Sequence, residues 1–336
     1  MIQNNISRPD FGKSFDAVQE YFKVVNFDDI NDIFVDLFTF KKTLKQRIHS
    51  YQKYKSKIDE LQKVFKKIVI ERNKAVQKLG YRDYFDFRTK ADGVSIENLN
   101  YFERNIEKIV KTIFNSFPKK VLSEIKWTEY NIPYPDASFN YVKAKTTHKK
   151  IIGSMAKLYP ILQRNLKRVI INISDKHLYS SCLYFKKGGN ITINTKRLVG
   201  INESLVFVHE LGHAIDYLEC EEKGVDHFKL THYRIEERAI QVEREFAKKF
   251  LPIKLRHHLE TNILKLISQA LFEKEIYTNT KEDFSLLFAT AVNQCYPPSH
   301  QRKNPFYVLN DKLILKPLNS LPSSIIYSKL ILNKIN

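Results

Sequence analysis

The chain has 336 residues, of which 43% are hydrophobic, and carries a formal net charge of +19, so it can hold one large or two smaller domains around a real core. Glycine is scarce, at 9, and Lys, Leu, Glu and Ile dominate, which leans toward a mainly α fold. Three widely spaced cysteines, Cys182, Cys220 and Cys295, lack any C-x-x-C pairing and argue against both a disulfide framework and a cysteine zinc site.

The first ten residues lack the apolar core of a signal peptide. No run of about 18 apolar residues occurs, so no transmembrane helix is expected. The expected compartment is reducing and cytoplasmic. Residues 11–80 read as helical: Phe15, Val18, Tyr21 and Phe22 keep helical spacing, as do Leu61, Val64, Phe65 and Ile68. The Lys-rich run from Lys41 to Val76 predicts one long helix or a pair, and Gly80 is its stop. A further helix is expected from Ser95 to Leu122, with Leu99, Phe102, Ile106, Val110 and Ile113 on one face and an interruption at Pro118. Asn131–Asp136, with two prolines, reads as a loop.

The texture then changes. Val169–Ile173 and Asn190–Asn194 are β-branched runs, and Gly188-Gly189 precedes the second, so a hairpin or small sheet is expected. Helices return from Asn202, which reads as an N-cap with Glu203 in the first turn. With no clear linker, the chain is expected to be a single compact unit over 1–336. Its helical N-terminal part would run to about 135, followed by a second part over about 136–310.

His209-Glu210-Leu211-Gly212-His213 lies in the apolar stretch Leu205–Ile215. Two histidines four apart on a helix share one face and can reach one metal, usually Zn²⁺, one per chain here. Glu210 lies close enough to take a proton from a water that the metal activates. A third protein ligand is needed. In Arg234–Ala247 the apolar stripe is Ile235, Ala239, Val242, Phe246 and Phe250, with Glu236 and Glu243 together on one shoulder. Glu236 can therefore face a metal, and Glu243, two turns on, can accept from a ligand histidine. Glu237 falls on the opposite side; Glu282 and His232 are alternatives of lower rank.

Several pieces in order resemble the oligoendopeptidase F and thimet oligopeptidase family of zinc metallopeptidases. They are Glu71-Arg-Asn through Leu79-Gly-Tyr-x-x-Tyr84, His209–Ala214, Glu236-x-x-Ala239-x-x-x-Glu243 with Ala where Ser is usual, Gln269–Tyr277, and His300-x4-Pro305-Phe-Tyr-Val308. The resemblance covers about Lys63 to Val308. It implies a mostly helical, zincin-like peptidase fold, a catalytic part over about 136–310, and cleavage of short unstructured peptides. It also implies that His300 and Tyr307 stabilise the oxyanion or orient the peptide. A family tyrosine is replaced by Leu309, and the chain is shorter than usual members. Asn190–Asn194 is expected as an edge strand for an extended substrate.

Two further readings stand beside the oligopeptidase. Between Tyr141 and Gly200 thirteen Lys or Arg face a single acid, Asp175, so that segment supplies twelve of the nineteen net charges. It could serve a binding module for nucleic acid or another polyanion, or attract acidic peptides. The other reading is a zincin protease specific for one folded protein.

Overall fold

The computed structural model describes residues 12–24, 44–116, 146–174, 180–198, 200–295, 317–318 and 320–332. Among these are eleven α-helices and one small sheet, so the chain is mainly α. The expected loop at Asn131–Asp136, the break at Pro118 and the segment carrying His300, Tyr307 and Leu309 lie outside the described residues. No helix among the described residues is long and apolar enough to cross a membrane. The three cysteines are free. The chain divides into two units, one of Met1–Asp136 with Ile263–Ser324 and the other of Ala137–Asn262 with Ile325–Asn336.

The first unit holds α1 (Gly12–Val24), α2 (Leu44–Gln77), α3 (Tyr84–Ala91) and α4 (Ile96–Ser116). The Lys-rich run forms one helix, and Leu61, Val64, Phe65 and Ile68 are its buried stripe. Gly80, at φ +83°, ends it in the left-handed region that glycine tolerates without strain. On α1 the buried face is Ser14, Ala17 and Tyr21, whereas Phe15 is exposed, so the stripe is rotated from the one expected. The small Ser14 and Ala17 permit close packing, which a count of apolar residues overlooks. On α4 the buried residues are Phe102, Ile109 and Ile113.

A buried polar network ties this unit together. Arg72 on α2 donates to the Tyr277 hydroxyl at 3.0 Å, and Asn73 donates to the Tyr277 carbonyl at 2.8 Å. Asn73 also accepts the Tyr84 N–H at 2.8 Å, and the rings of Tyr84 and Tyr277 meet at 4.9 Å. Glu273, on the same helix as Tyr277, accepts the Leu318 N–H at 2.6 Å and the Ser320 hydroxyl at 2.9 Å. Burial pushes its pKa up to about 7, against the pull of those donors and of Arg72. Two of the stretches behind the resemblance, around Arg72-Asn73 and Tyr277, thus build a structural polar core.

The second unit holds α5 (His148–Leu158), α6 (Pro160–Arg164), β1 (Val169–Ile173), β2 (Ser181–Tyr184), β3 (Ile191–Thr195), α7 (Ile201–Glu222) and α8 (His232–Phe250). Helix α9 (Ile253–Thr278) and helix α11 (Ser320–Leu332) each contribute residues to both units, and α10 (Phe284–Cys295) belongs to the first. The sheet order is β1-β3-β2, with β1 parallel and β2 antiparallel to β3. Strand β3 is therefore central, which corrects the expectation that Asn190–Asn194 is an edge. The reason is β2: Ser181-Cys-Leu-Tyr184 is short, mixed in polarity and easily missed, yet it takes the second side of β3. The Gly188-Gly189 turn joins β2 and β3 as a hairpin.

Ile191 and Ile193 of β3 point into a core with Met155, Phe207, Leu211, Ile215, Val242 and Phe246. Helix α7 is packed into this core, which explains its nearly all-round apolar sequence. Its N-cap is Gly200, whose N–H is accepted by Glu203 at 2.8 Å; Asn202 lies inside the first turn, so the expected cap is displaced by two residues. Part of the basic segment is neutralised by the far end of α7. Arg168 makes paired bonds of 2.8 and 3.0 Å to Glu221, and Arg164 pairs with Glu222. Lys149, Lys150, Lys157, Lys167, Lys186, Lys187 and Lys196 stay exposed.

Candidate metal centre

Two neighbouring helices of the second unit build the centre. Helix α7 presents His209 and His213 one turn apart, with Glu210 between them. Helix α8 begins at the Thr231 cap, whose hydroxyl accepts the Arg234 N–H at 3.3 Å, and brings up Glu236 and Glu243. The contact between the two helices depends on Gly212. A Cβ there would stand 2.8 Å from the Ala239 Cα and 3.0 Å from its carbonyl oxygen, both rigid backbone atoms. The glycine inside the His-Glu-x-Gly-His run and the small Ala239 therefore let α8 approach closely enough for Glu236 to reach both histidines. A salt link from Arg238 to Glu219, at 2.5 and 3.0 Å, fastens the same pair of helices.

One atom each of His209, His213 and Glu236 lies within 4.8 Å of the others, and among the described residues this is the group of at least three His, Cys, Asp or Glu side chains that could hold a metal ion. The separations are 3.3 Å from His209 Nε2 to Glu236 Oε2 and 3.6 Å from His213 Nε2 to Glu236 Oε1. Ligands ~2.1 Å from a tetrahedral ion stand roughly 3.4 Å apart, so the spacing fits zinc, as does a His-His-Glu donor set. Behind it, His209 Nδ1 meets Glu243 Oε2 at 3.3 Å, and the other oxygen of Glu243 accepts the Tyr327 hydroxyl of α11 at 2.9 Å. All three are buried or nearly so. Tyr327 was not legible in the sequence: it lies 84 residues from Glu243 on an apolar helix, and no periodicity links them.

Charge in the centre follows its geometry. Burial works to lower the pKa of His209, but the carboxylates of Glu236 and Glu243 on either side outweigh it and raise the pKa. His213 goes the other way, down to about 4, through burial and the neighbouring His209. Burial would raise Glu236, yet its bond to His209 and the surrounding imidazoles hold it at about 2. Glu236 is thus an anion at any ordinary pH, ready to face a cation.

Of the other ranked residues, His232 stands beside Glu236, its Nδ1 3.9 Å from Oε1. Glu282 is an exposed residue of the first unit whose carbonyl accepts from Lys66. Neither joins the group of three. Glu210 is buried, and Cys182 of β2 lies near enough that the Glu210 charge adds to burial in raising its thiol pKa.

Neither a protein-family model nor a curated protein sequence matches the chain. Solved structures do. Pz peptidase A, determined with an inhibitor, superposes with a TM-score of 0.61 at 14% identity, over 94% of this chain and 64% of that one. A protein assigned as oligoendopeptidase F gives 0.63 at 13% identity, over 96% of this chain and 66% of that one. A protein assigned as oligoendopeptidase F from Bacillus anthracis str. Ames gives 0.56 at 14%, over 95% and 70%. The chain therefore has the helical fold of these peptidases, nearly end to end, and spans about two thirds of the length of the first two. The resemblance seen in the sequence is matched by the fold, and a His-His-Glu triad is positioned within it like a zinc site.

Proposed function

We propose that the protein is a zinc-dependent metalloendopeptidase that hydrolyses peptide bonds, its substrates being short unstructured peptides. The observation that carries this reading is the convergence of His209, His213 and Glu236 at ligand spacing, with Glu243 behind His209. His209, His213 and Glu236 would hold the ion. When bound, zinc supplies a Lewis acid that polarises the scissile carbonyl and acidifies water.

The chain's own residues do the rest. Glu210, fixed on α7 between the two histidines, takes a proton from the attacking water and delivers it to the leaving amine. Glu243 accepts from His209 Nδ1, which fixes the ring orientation and leaves Nε2 free as a ligand atom. Tyr327, donating to Glu243, fixes that carboxylate in turn. His300 and Tyr307 are proposed to bind the developing oxyanion or orient the peptide. With β3 in the centre of the sheet, the strand available to an extended substrate beside α7 is β2.

The test is metal content together with hydrolysis of a mixed quenched-peptide library, with and without chelator. About one zinc per chain and chelator-sensitive cleavage are expected. Zinc-loaded protein that leaves every peptide intact would refute the reading.

A further inference from the structure

A second feature lies on the same face of α7 as Glu210. Tyr217 follows Glu210 by seven residues and Glu221 by eleven, which at 100° per residue puts both within about 20° of it. There the structure opens a cleft of about 240 Å³, walled by Tyr184, Tyr217, His227 and Phe228. The rings form a continuous series. Phe228 lies nearly parallel to Tyr184 at 5.5 Å, Tyr184 meets Tyr217 at 4.3 Å, and Tyr217 meets His227 at 4.0 Å.

The wall is held from behind. Glu221 accepts from the Tyr184 hydroxyl, from the Gly188 N–H at 2.7 Å and from both arms of Arg168. His227 pairs with Asp216 at 3.1 Å, both buried, and Asp226 accepts the Phe228 N–H at 3.1 Å. Glu221 and Asp216 are thus engaged by the protein, Asp226 stays half-exposed beside Lys229 at the rim, and much of the wall is ring surface. At its lip Phe228 is 60% and Val225 45% exposed. A single exposed apolar residue is ordinary. Two of them on the rim of a ring-walled cleft are what a pocket for an apolar side chain presents. Lys187 at the same opening disfavours a cationic occupant.

Strand β2 leads the same way as the helix. Cys182, beside Glu210, and Tyr184, in the cleft, lie two residues apart on one face of the strand. Seven residues of helix span roughly 10 Å. An extended peptide covers that distance in about three residues, at ~3.3 Å each.

We propose that this cleft is a substrate subsite for a large apolar side chain, aromatic or branched, about three residues from the scissile bond. The inference rests on the peptidase reading. It is tested by scanning three positions on each side of the cleavage point in quenched peptides, with zinc-loaded wild type and Phe228→Ala. Because Phe228 is exposed, its truncation leaves the core intact. Wild type should favour Phe, Tyr or Leu over Asp or Lys at one position three residues from the bond, by about tenfold or more in kcat/KM. Phe228→Ala should erase that preference, read within the variant as the kcat/KM ratio of Phe over Asp or Lys at that position. The same profile in both proteins would overturn the subsite and leave the peptidase reading standing. If zinc-loaded wild type cleaves no peptide, the peptidase reading falls and the subsite with it.

Discussion

The two units bury ionisable side chains in different company. In the first, Arg72, Asn73, Tyr84, Glu273 and Tyr277 are complementary: the Arg72, Asn73, Tyr84, Leu318 and Ser320 donors each meet an acceptor of the same network. In the second, two imidazole nitrogens and a carboxylate, all electron-pair donors, converge within 4.8 Å. Glu236 faces both imidazoles and Glu243 backs His209, so the lone pairs of two nitrogens and a carboxylate are gathered at one point, as a bound cation requires. Buried charge alone does not mark a functional site. What marks it is whether the buried groups form donor–acceptor pairs spread along a network or gather several metal-ligating atoms at one point.

Four experiments can break or sharpen that contrast. The largest effect is expected from Glu210→Gln, which removes the base but none of the three converging atoms. Hydrolysis should fall by about 10²–10⁴-fold, the usual contribution of general acid–base catalysis. Zinc content, read by atomic absorption, should stay near that of wild type. An unchanged rate would show that Glu210 is not the base.

The second concerns the first unit's network and should leave zinc untouched. The folded-state pKa of Glu273, about 7, lies above its ordinary value of 4.5. Its contribution to stability is therefore fully present below about pH 4.5 and is lost as pH rises through about 7. The loss is on the order of 3 kcal/mol, since each unit is worth about 1.4. Glu273→Gln keeps an acceptor for the Leu318 N–H and should flatten this slope in denaturant titrations between pH 5 and 8. A slope identical to wild type would show that Glu273 is not the group responsible.

Next comes Gly212→Ala, where the added Cβ meets α8 backbone at 2.8 Å. Overpacking of this kind costs about 1–3 kcal/mol. Because α8 carries Glu236, zinc affinity measured by chelator competition should fall along with the thermal midpoint. Loss of stability with undiminished affinity would mean that the helix contact does not position Glu236. Smallest is Tyr327→Phe, which removes the hydroxyl that holds Glu243. Outer partners of metal ligands affect affinity by about 10–100-fold, and this one, a step further out, should sit near tenfold or below. Affinity equal to wild type would assign the Tyr327 bond to stability alone.

What the sequence by itself determined was local. His209 and His213 share a face because 3.6 residues make a turn, and the same periodicity put Glu236 and Glu243 on one shoulder of α8. The helical class, the stripes on α2 and α4, and the stop at Gly80 follow from spacing and from backbone preferences of single residues. Tertiary structure decided everything that depends on which segments meet. That β3 is central follows from Ser181–Tyr184 pairing with it, and that four-residue strand is too short to announce itself. Gly200 rather than Asn202 caps α7 because Glu203 turns back to its N–H. Gly212 matters because Ala239 is opposite, and Tyr327 matters because an 84-residue separation closes on Glu243. Periodicity fixes which residues share a face of one element. It carries no information about what that face touches, and contacts of long sequence separation exist only once the chain has packed.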